Sequence, residues 1–353
     1  MKSPLVGIVA NPVSARDIRR IVANASSLQI ADRANIVLRA LAALAAAGVT
    51  DVVMMPDIGG IRSYVMHGIE HSRRCGETRF PRLSFLEMPV SGTVEDTRRA
   101  ARLMSAAGVA IIVVLGGDGT HRAVVTECGT VPIAGISTGT NNAFPLHREP
   151  TITGLAAGLA AAGKVPKEIA YCFNKKIEVA LDGATPEIAL VDVALVTDRY
   201  LGARAIWRSE TIRELFVTFA DPEVIGLAAI AGLLEPIARD EPGGMMVRLA
   251  PPALAPTVVH APIGPGLVEP VGVENWRRMP AGIPFTPTLT AGAVALDGER
   301  ELVFDAHQAL AVTVIDNAFR TVDVSAVMRF ASTRGLMHVS GRLAASAPNG
   351  VIA

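Results

Sequence analysis

Apolar and polar positions in the first half of the chain alternate between short β-type runs and longer runs with helical spacing. Residues 5–10 read as a strand ending at the turn Asn11-Pro12, and after an intervening segment the Ala- and Leu-rich stretch 31–47 reads as a helix. Residues 51–55 and 83–88 predict two more strands, the second leading through Ser91-Gly92-Thr93 into a helix to about residue 107. Thr93 with Asp96 three residues on has the form of a capping box, with Asp in place of the usual Glu. A fourth strand over 110–115 runs into a glycine loop, followed by a helix over 121–127, a fifth strand over 131–136 and a helix across 153–162. Strands separated by crossover helices predict a parallel sheet with helices on both faces.

Beyond about residue 165 the periodicity changes. Residues 176–181 and 187–196 flank Asp182-Gly183 as a β-hairpin, and 293–296, 301–304 and 310–315 read as further strands around an Asp297-Gly298 turn. Pro and Gly become frequent between residues 242 and 287, where helices do not persist. The expected fold class is α/β: a Rossmann-like parallel α/β domain over 1–165, then a mainly β domain over 166–353 with a helical insertion around 222–238.

Composition fits that division and narrows the function. The 353 residues suffice for two domains, and half are hydrophobic with only 4% aromatic, so aliphatic side chains build the core. A formal net charge of zero supplies no basic field for nucleic acid or an anionic membrane. Cys75, Cys128 and Cys172 are scattered and odd in number, which favours a reducing cytoplasm over a disulfide framework. An Asn-Pro turn arrives before any signal-peptide core, and the apolar runs 38–49 and 224–234 fall short of the roughly 20 residues a bilayer requires. The expectation is a soluble cytoplasmic protein without nucleic-acid or membrane partners.

Three strand ends carry the candidate chemistry. They are Asn11-Pro12-Val13-Ser14, the stretch Gly116-Gly117-Asp118-Gly119-Thr120, and Thr138-Gly139-Thr140-Asn141-Asn142. Open α/β sheets bind ligands at this carboxyl edge, where glycine admits phosphate oxygens to the backbone and helix starts aim free N–H groups at them. Asp118 is the unusual member, because a carboxylate facing phosphates needs a cation beside it or a proton. Either escape suits phosphoryl transfer, with Asp118 holding magnesium or deprotonating an attacking hydroxyl. A turn or capping Asp is the plainer alternative.

The absences matter as well. No P-loop lysine is possible, since Lys2 is the one lysine before Lys164, and no G-x-G-x-x-G follows the first strand. Positive charge near the loops would come from Arg16, Arg19, Arg20 or Arg122, or these arginines line solvated helix faces. His121, directly after the glycine loop, either steadies a phosphate or starts a helix facing solvent. Trp207, Trp276 and Arg277-Arg278 shape a pocket or serve as packing and solvated charge.

The G-G-D-G-T stretch resembles the signature of the superfamily that contains NAD kinases, diacylglycerol kinases and sphingosine kinases. Asn11-Pro12 is similar to its Asn-Pro nucleotide element, with Ala15 where glycine is common, and residues 135–144 resemble the G-T-x-N segment of the lipid-kinase branch. Leu296-Asp297-Gly298-Glu299 resembles the late Asp-Gly-Glu element. Within the superfamily, ANPVSARDIRR, SGTVEDTRRAARLM, GGDGTHRAV and ISTGTNNAFP look like the acetoin catabolism protein X subfamily, described as ATP-NAD kinase-like.

That resemblance implies an NAD kinase-like fold and an ATP-dependent, magnesium-assisted small-molecule kinase. Asp118 would be the general base or a metal-linked carboxylate. Gly116, Gly117, Gly119 and Thr120 would cradle the phosphates, completed by Asn11, Thr93, Thr138, Gly139, Thr140, Asn141 and Asn142. Asp297 and Glu299 would serve metal binding, although a plain hairpin turn also accounts for Glu299. NAD kinases grip the dinucleotide with an Asn-Glu pair, and the matching stretch here reads Val191-Asp192. Asp192 could replace the Glu, or point outward as a strand residue, but Val191 cannot hydrogen-bond a ribose or adenine. NAD is the first implied acceptor. A hydroxylated metabolite of acetoin-type catabolism, or a non-catalytic nucleotide sensor, are the alternatives, and a homo-oligomer is the expected assembly.

Overall fold

The apolar runs of the first half form the strands their pattern predicts: β1 (Leu5–Ala10), β2 (Asp51–Met54), β3 (Arg82–Phe85), β4 (Ile111–Gly116) and β5 (Ile133–Ser137). This computed structural model describes residues 3–12, 28–77, 79–139, 142–198 and 209–338. The intervening helices are α1 (Ile30–Ala46), α2 (Ile61–Arg74), α3 (Val94–Ala106), α4 (Asp118–Glu127) and α5 (Pro150–Ala161). Helix α2 has no counterpart among the sequence expectations. Only Ile61, Val65 and Ser72 are buried on it, so its apolar spacing is too sparse to register.

The five strands pair in parallel in the order β3-β2-β1-β4-β5. Their residues alternate between two cores. Ile8 and Val113 face Leu41, Leu44, Ala156 and Leu159 of α1 and α5, while Val9, Ile112 and Val114 face Ala100, Met104 and Val124 of α3 and α4. Small residues let α1 and α5 approach closely: a Cβ on Gly154 would lie 2.8 Å from the Ala40 carbonyl oxygen. No helix among the described residues is long and apolar enough to cross a membrane.

The second half supplies a short α6 (Lys167–Ala170), then β6 (Tyr171–Leu181), β7 (Glu187–Ala189), β8 (Asp192–Val196) and β9 (Ile212–Val217). After a short α7 (Ala228–Gly232) come β10 (Gly244–Ala250), β11 (Thr257–Gly264), β12 (Leu267–Met279), β13 (Gly292–Leu296), β14 (Glu299–Phe304), β15 (Leu310–Val322) and α8 (Val324–Thr333). Among the described residues, β8 to β14 form an antiparallel seven-stranded sheet in the order β11-β12-β10-β9-β8-β13-β14. The chain is thus α/β, with an N-terminal parallel sheet and a mainly antiparallel C-terminal half.

Two expectations change. The helical insertion over 222–238 contracts to the five residues of α7, because Pro222 and Pro236 limit a helix from both sides. The run 187–196 is not one strand. It breaks at Leu190-Val191, so β7 stays with β6 in the first sheet while β8 enters the second. Strand β15 also returns to the first sheet, antiparallel to β6, with Thr321 beside Ile133 of β5. Ile177, Val312 and Val314 of these strands then pack on Phe216, Val294 and Leu296 of the second sheet. The second half therefore sits against the strand ends that carry the glycine loops.

Candidate active site

Register brings the candidate loops together at the carboxyl edge of the parallel sheet. Ala10 lies beside Leu115 and Gly116 beside Ser137, so Asn11, Gly117 and Thr138 leave three adjacent strands side by side. The Thr138 N–H donates to the Gly116 carbonyl at 3.3 Å and ties two of the loops together. Ser14, Arg16, Arg19, Arg20, Thr140, Asn141 and Trp207 lie outside the described residues.

Helix α4 begins at Asp118, three residues before the expected 121, with Gly117 as its cap residue in extended backbone. Three of the loop glycines make room for the protein itself. A Cβ on Gly116 would lie 2.4 Å from the Thr120 Cβ, and one on Gly117 or Gly139 would come within 2.7 or 2.2 Å of the Asn142 Oδ1. Asn142 is held there by donating to the Ser137 hydroxyl at 2.7 Å. Gly119 differs. Among the described residues nothing lies within 4 Å of the position its Cβ would take, which leaves open space at the first turn of α4. The Thr120 N–H in that turn donates to the Gly117 carbonyl at 3.1 Å, and the helix dipole at Gly119 favours an anion.

Asp118 is half-buried beside this opening. Its Oδ2 accepts the Ala143 N–H and its Oδ1 the Phe144 N–H, each at 3.0 Å. Arg239 approaches the same segment from the second half, donating from Nη1 to the Phe144 carbonyl at 3.1 Å and from Nη2 to the Ala143 carbonyl. Arg239 carries no sequence signal, for its partners lie 95 and 96 positions away.

Asn11 and Thr93 are brought together. The Asn11 amide donates to the Thr93 carbonyl and to the Thr97 hydroxyl, both at 3.0 Å, and Arg33 donates to the Asn11 carbonyl at 3.1 Å. The Asp96 carboxyl accepts the Thr93 N–H as a capping box requires, together with those of Ser91 and Gly92, while the Thr93 hydroxyl accepts from Glu95 N–H, one residue before the expected Asp96. Burial opposes Asp96 ionisation, yet hydrogen bonds from Ser91, Gly92 and Thr93 outweigh it and hold the carboxyl below its ordinary range.

His121 is fully enclosed, neither solvent-facing nor open to a phosphate. Its Nδ1 lies 2.9 Å from the Gly117 carbonyl, which can only accept, so the proton sits on Nδ1. Among the described residues Nε2 has no hydrogen-bond partner, and it is buried against Gly135, where a Cβ would lie 2.7 Å away. Burial lowers the imidazole to about 4 against a smaller opposing effect of the Gly117 carbonyl, so the ring is neutral.

Arg122, one of the candidate phosphate cations, is instead directed into the second half. It donates to the Leu296 carbonyl at 3.2 Å and to Glu301 at 2.6 Å, and its Nε lies 3.9 Å from the Asp297 Oδ2. Burial works against its charge, but Asp297 and Glu301 together hold the guanidinium above its ordinary value. Asp297 accepts the N–H groups of Leu190 at 3.0 Å, Val191 at 2.8 Å and Asp192 at 3.4 Å. A magnesium ion at Asp297 would face the Arg122 guanidinium, so this carboxylate does not fit a metal ligand. Glu299 begins β14, half-buried and close enough to act electrostatically on Arg122. Asp192 is buried at the start of β8.

No group of three or more His, Cys, Asp or Glu converges as a metal site among the described residues. Magnesium is commonly held by one or two carboxylates together with substrate phosphates, and Asp118 fits that sharing. Trp276 and Arg278 are exposed on β12 and pair with Glu235 at 3.3 and 2.6 Å.

Residues 6–165 match the ATP-NAD kinase N-terminal domain, and residues 175–317 match the acetoin catabolism protein X C-terminal domain. The first half and its glycine loop thus define a kinase-type α/β fold of the ATP-NAD kinase class. The chain is 53% identical over 340 residues to the acetoin catabolism protein X of Cupriavidus necator, covering 95% of this chain and 94% of that one. It belongs to the acetoin catabolism protein X family. Two solved structures of a putative diacylglycerol kinase from Bacillus anthracis match 91% of this chain with a TM-score of 0.47, at 12% and 13% identity over 98% and 97% of their own length.

Proposed function

We propose that the chain is an ATP-dependent small-molecule kinase whose phosphate site is the first turn of α4. The observation that carries this reading is the open space at Gly119 beside the half-buried Asp118. Gly119 presents its backbone N–H to the phosphates, Thr138, Gly139 and Asn142 line the adjoining edge, and the sequence assigns Thr140 and Asn141 to the same pocket. Gly116 and Gly117 keep that edge narrow, and Asn11 with Thr93 closes its far side. Asp118 takes the proton of the acceptor hydroxyl as its oxygen bonds the γ-phosphorus and the β–γ bridging P–O bond breaks, releasing ADP. Asp118 would share a magnesium ion with the nucleotide phosphates, and the ion would supply charge neutralisation there.

The likeness of residues 6–165 to the ATP-NAD kinase domain makes NAD the first acceptor to test. A second reading has its own support. Val191 is 1% exposed and its N–H is spent on Asp297, so that position offers no polar side chain to a dinucleotide. This favours a smaller hydroxylated metabolite of acetoin-type catabolism. Thermal shift with ATP and magnesium, run beside product detection across NAD and small hydroxylated acids and ketones, separates the readings. Stabilisation by ATP without any phosphorylated product would leave a nucleotide sensor instead.

A further inference from the structure

We infer that Arg239 is a positioning residue for Asp118, acting through the peptide that links Ala143 to Phe144. The inference rests on the phosphotransferase reading for its kinetic consequence and on geometry alone for its structural one. That peptide is gripped at both ends: its carbonyl by the Arg239 guanidinium, its N–H by the Asp118 carboxylate at 3.0 Å. A cation on the carbonyl polarises the amide and strengthens its donation to an anion, so the two bonds reinforce each other. The neighbouring contacts repeat the pattern, with Arg239 on the Phe144 carbonyl and Asp118 on the Ala143 N–H.

Arg239 is itself held rigidly. Its guanidinium lies 4.0 Å from the centre of the Phe219 ring and 6.0 Å from that of Phe144. The loop bearing it is pinned by Lys175, whose ammonium donates to the carbonyls of Ala238 at 3.3 Å, Glu241 at 2.5 Å and Gly243 at 2.9 Å. Asp316 accepts the Gly243 N–H from the bulge in β15 at 3.1 Å. Burial works against the Arg239 charge, and Asp118 and Asp221 are the acids that offset part of it. An arginine so fixed from the second half sets where the carboxylate of the first half stands.

The test uses the full chain with Arg239→Met, Arg239→Lys, Asp118→Asn and the Arg239→Met/Asp118→Asn double variant. In denaturant unfolding the double variant should lose less stability than the sum of the two single losses, and strict additivity would overturn the inference. In turnover, Arg239→Met should lower kcat by about tenfold or more with the nucleotide KM within about twofold, and Arg239→Lys should recover part of the loss. Unchanged kcat in Arg239→Met, or no advantage of Lys over Met, would also overturn it. Should Arg239→Met not fold, the cycle is run with Arg239→Lys under the same criterion. A wild-type chain that phosphorylates no acceptor sinks the kinase reading, while the unfolding cycle still decides the role of Arg239.

Discussion

The Asp297 carboxylate accepts the Val191 N–H at 2.8 Å, at the point where the chain leaves the first sheet for the second. With Leu190 and Asp192 also donating to it, Asp297 satisfies the backbone groups that the break between β7 and β8 frees from strand pairing. Asp297→Ala removes this anchor and leaves Arg122 with a lost partner in a buried setting. It should cost about 3–5 kcal/mol in urea unfolding. A loss under about 1 kcal/mol would show that the break is held by packing instead.

His121 makes stability sensitive to acid. Its folded value of about 4 lies below the 6.5 of an unperturbed imidazole, so the unfolded chain binds the proton more readily. The stability this gives is complete above about pH 6.5 and is lost as pH falls toward 4. A shift of this size corresponds to roughly 3 kcal/mol. Replacement by Gln should flatten that part of the Tm-against-pH curve, and an unchanged slope would assign the acid sensitivity to other groups.

The loop glycines should separate by role. Gly116→Ala and Gly117→Ala drive a Cβ into Thr120 and Asn142 and should lower Tm. Gly119→Ala meets open space within a helix and should leave stability equal or raise it by about 0.5–1 kcal/mol. Its effect should fall on ATP affinity instead, weakening it by about tenfold or more in calorimetry. Equal ATP affinity in Gly119→Ala would move the phosphates elsewhere.

Asp118→Asn is not a silent probe of charge. Asn keeps one acceptor oxygen but turns an NH2 group toward either the Ala143 or the Phe144 N–H. One donor is then unsatisfied, at a cost of about 1–3 kcal/mol in unfolding experiments. Turnover should be abolished beyond what this loss of stability explains.

The sequence made the parallel half legible because its strands are continuous apolar runs bounded by turns: Leu5–Ala10 coincides with β1, and the glycine loop falls at the end of β4. The second half was harder to read. Strands β11 and β12 carry Pro262 and Pro270, tolerated because β11 is an edge strand and Pro270 lies beyond the β12 residues that pair with β10. The 187–196 run alternates like one strand, and it is divided by Thr218 on its carbonyls and by Asp297, more than a hundred positions away, on its N–H groups. His121 and Arg122 follow the loop as candidate ligands, yet burial directs one into the core and the other across to Glu301. Long-range partners of this kind have no local spacing to reveal them.

Transfer of the γ-phosphoryl group tests the central claim most directly. The purified chain is incubated with labelled ATP, magnesium and an acceptor panel headed by NAD, beside Asp118→Asn. Phosphorylated product from the wild type and none from the variant, with ATP still bound by both, is the predicted result. ATP bound by the wild type with no labelled product from any acceptor would contradict the assignment of Asp118 to phosphoryl transfer.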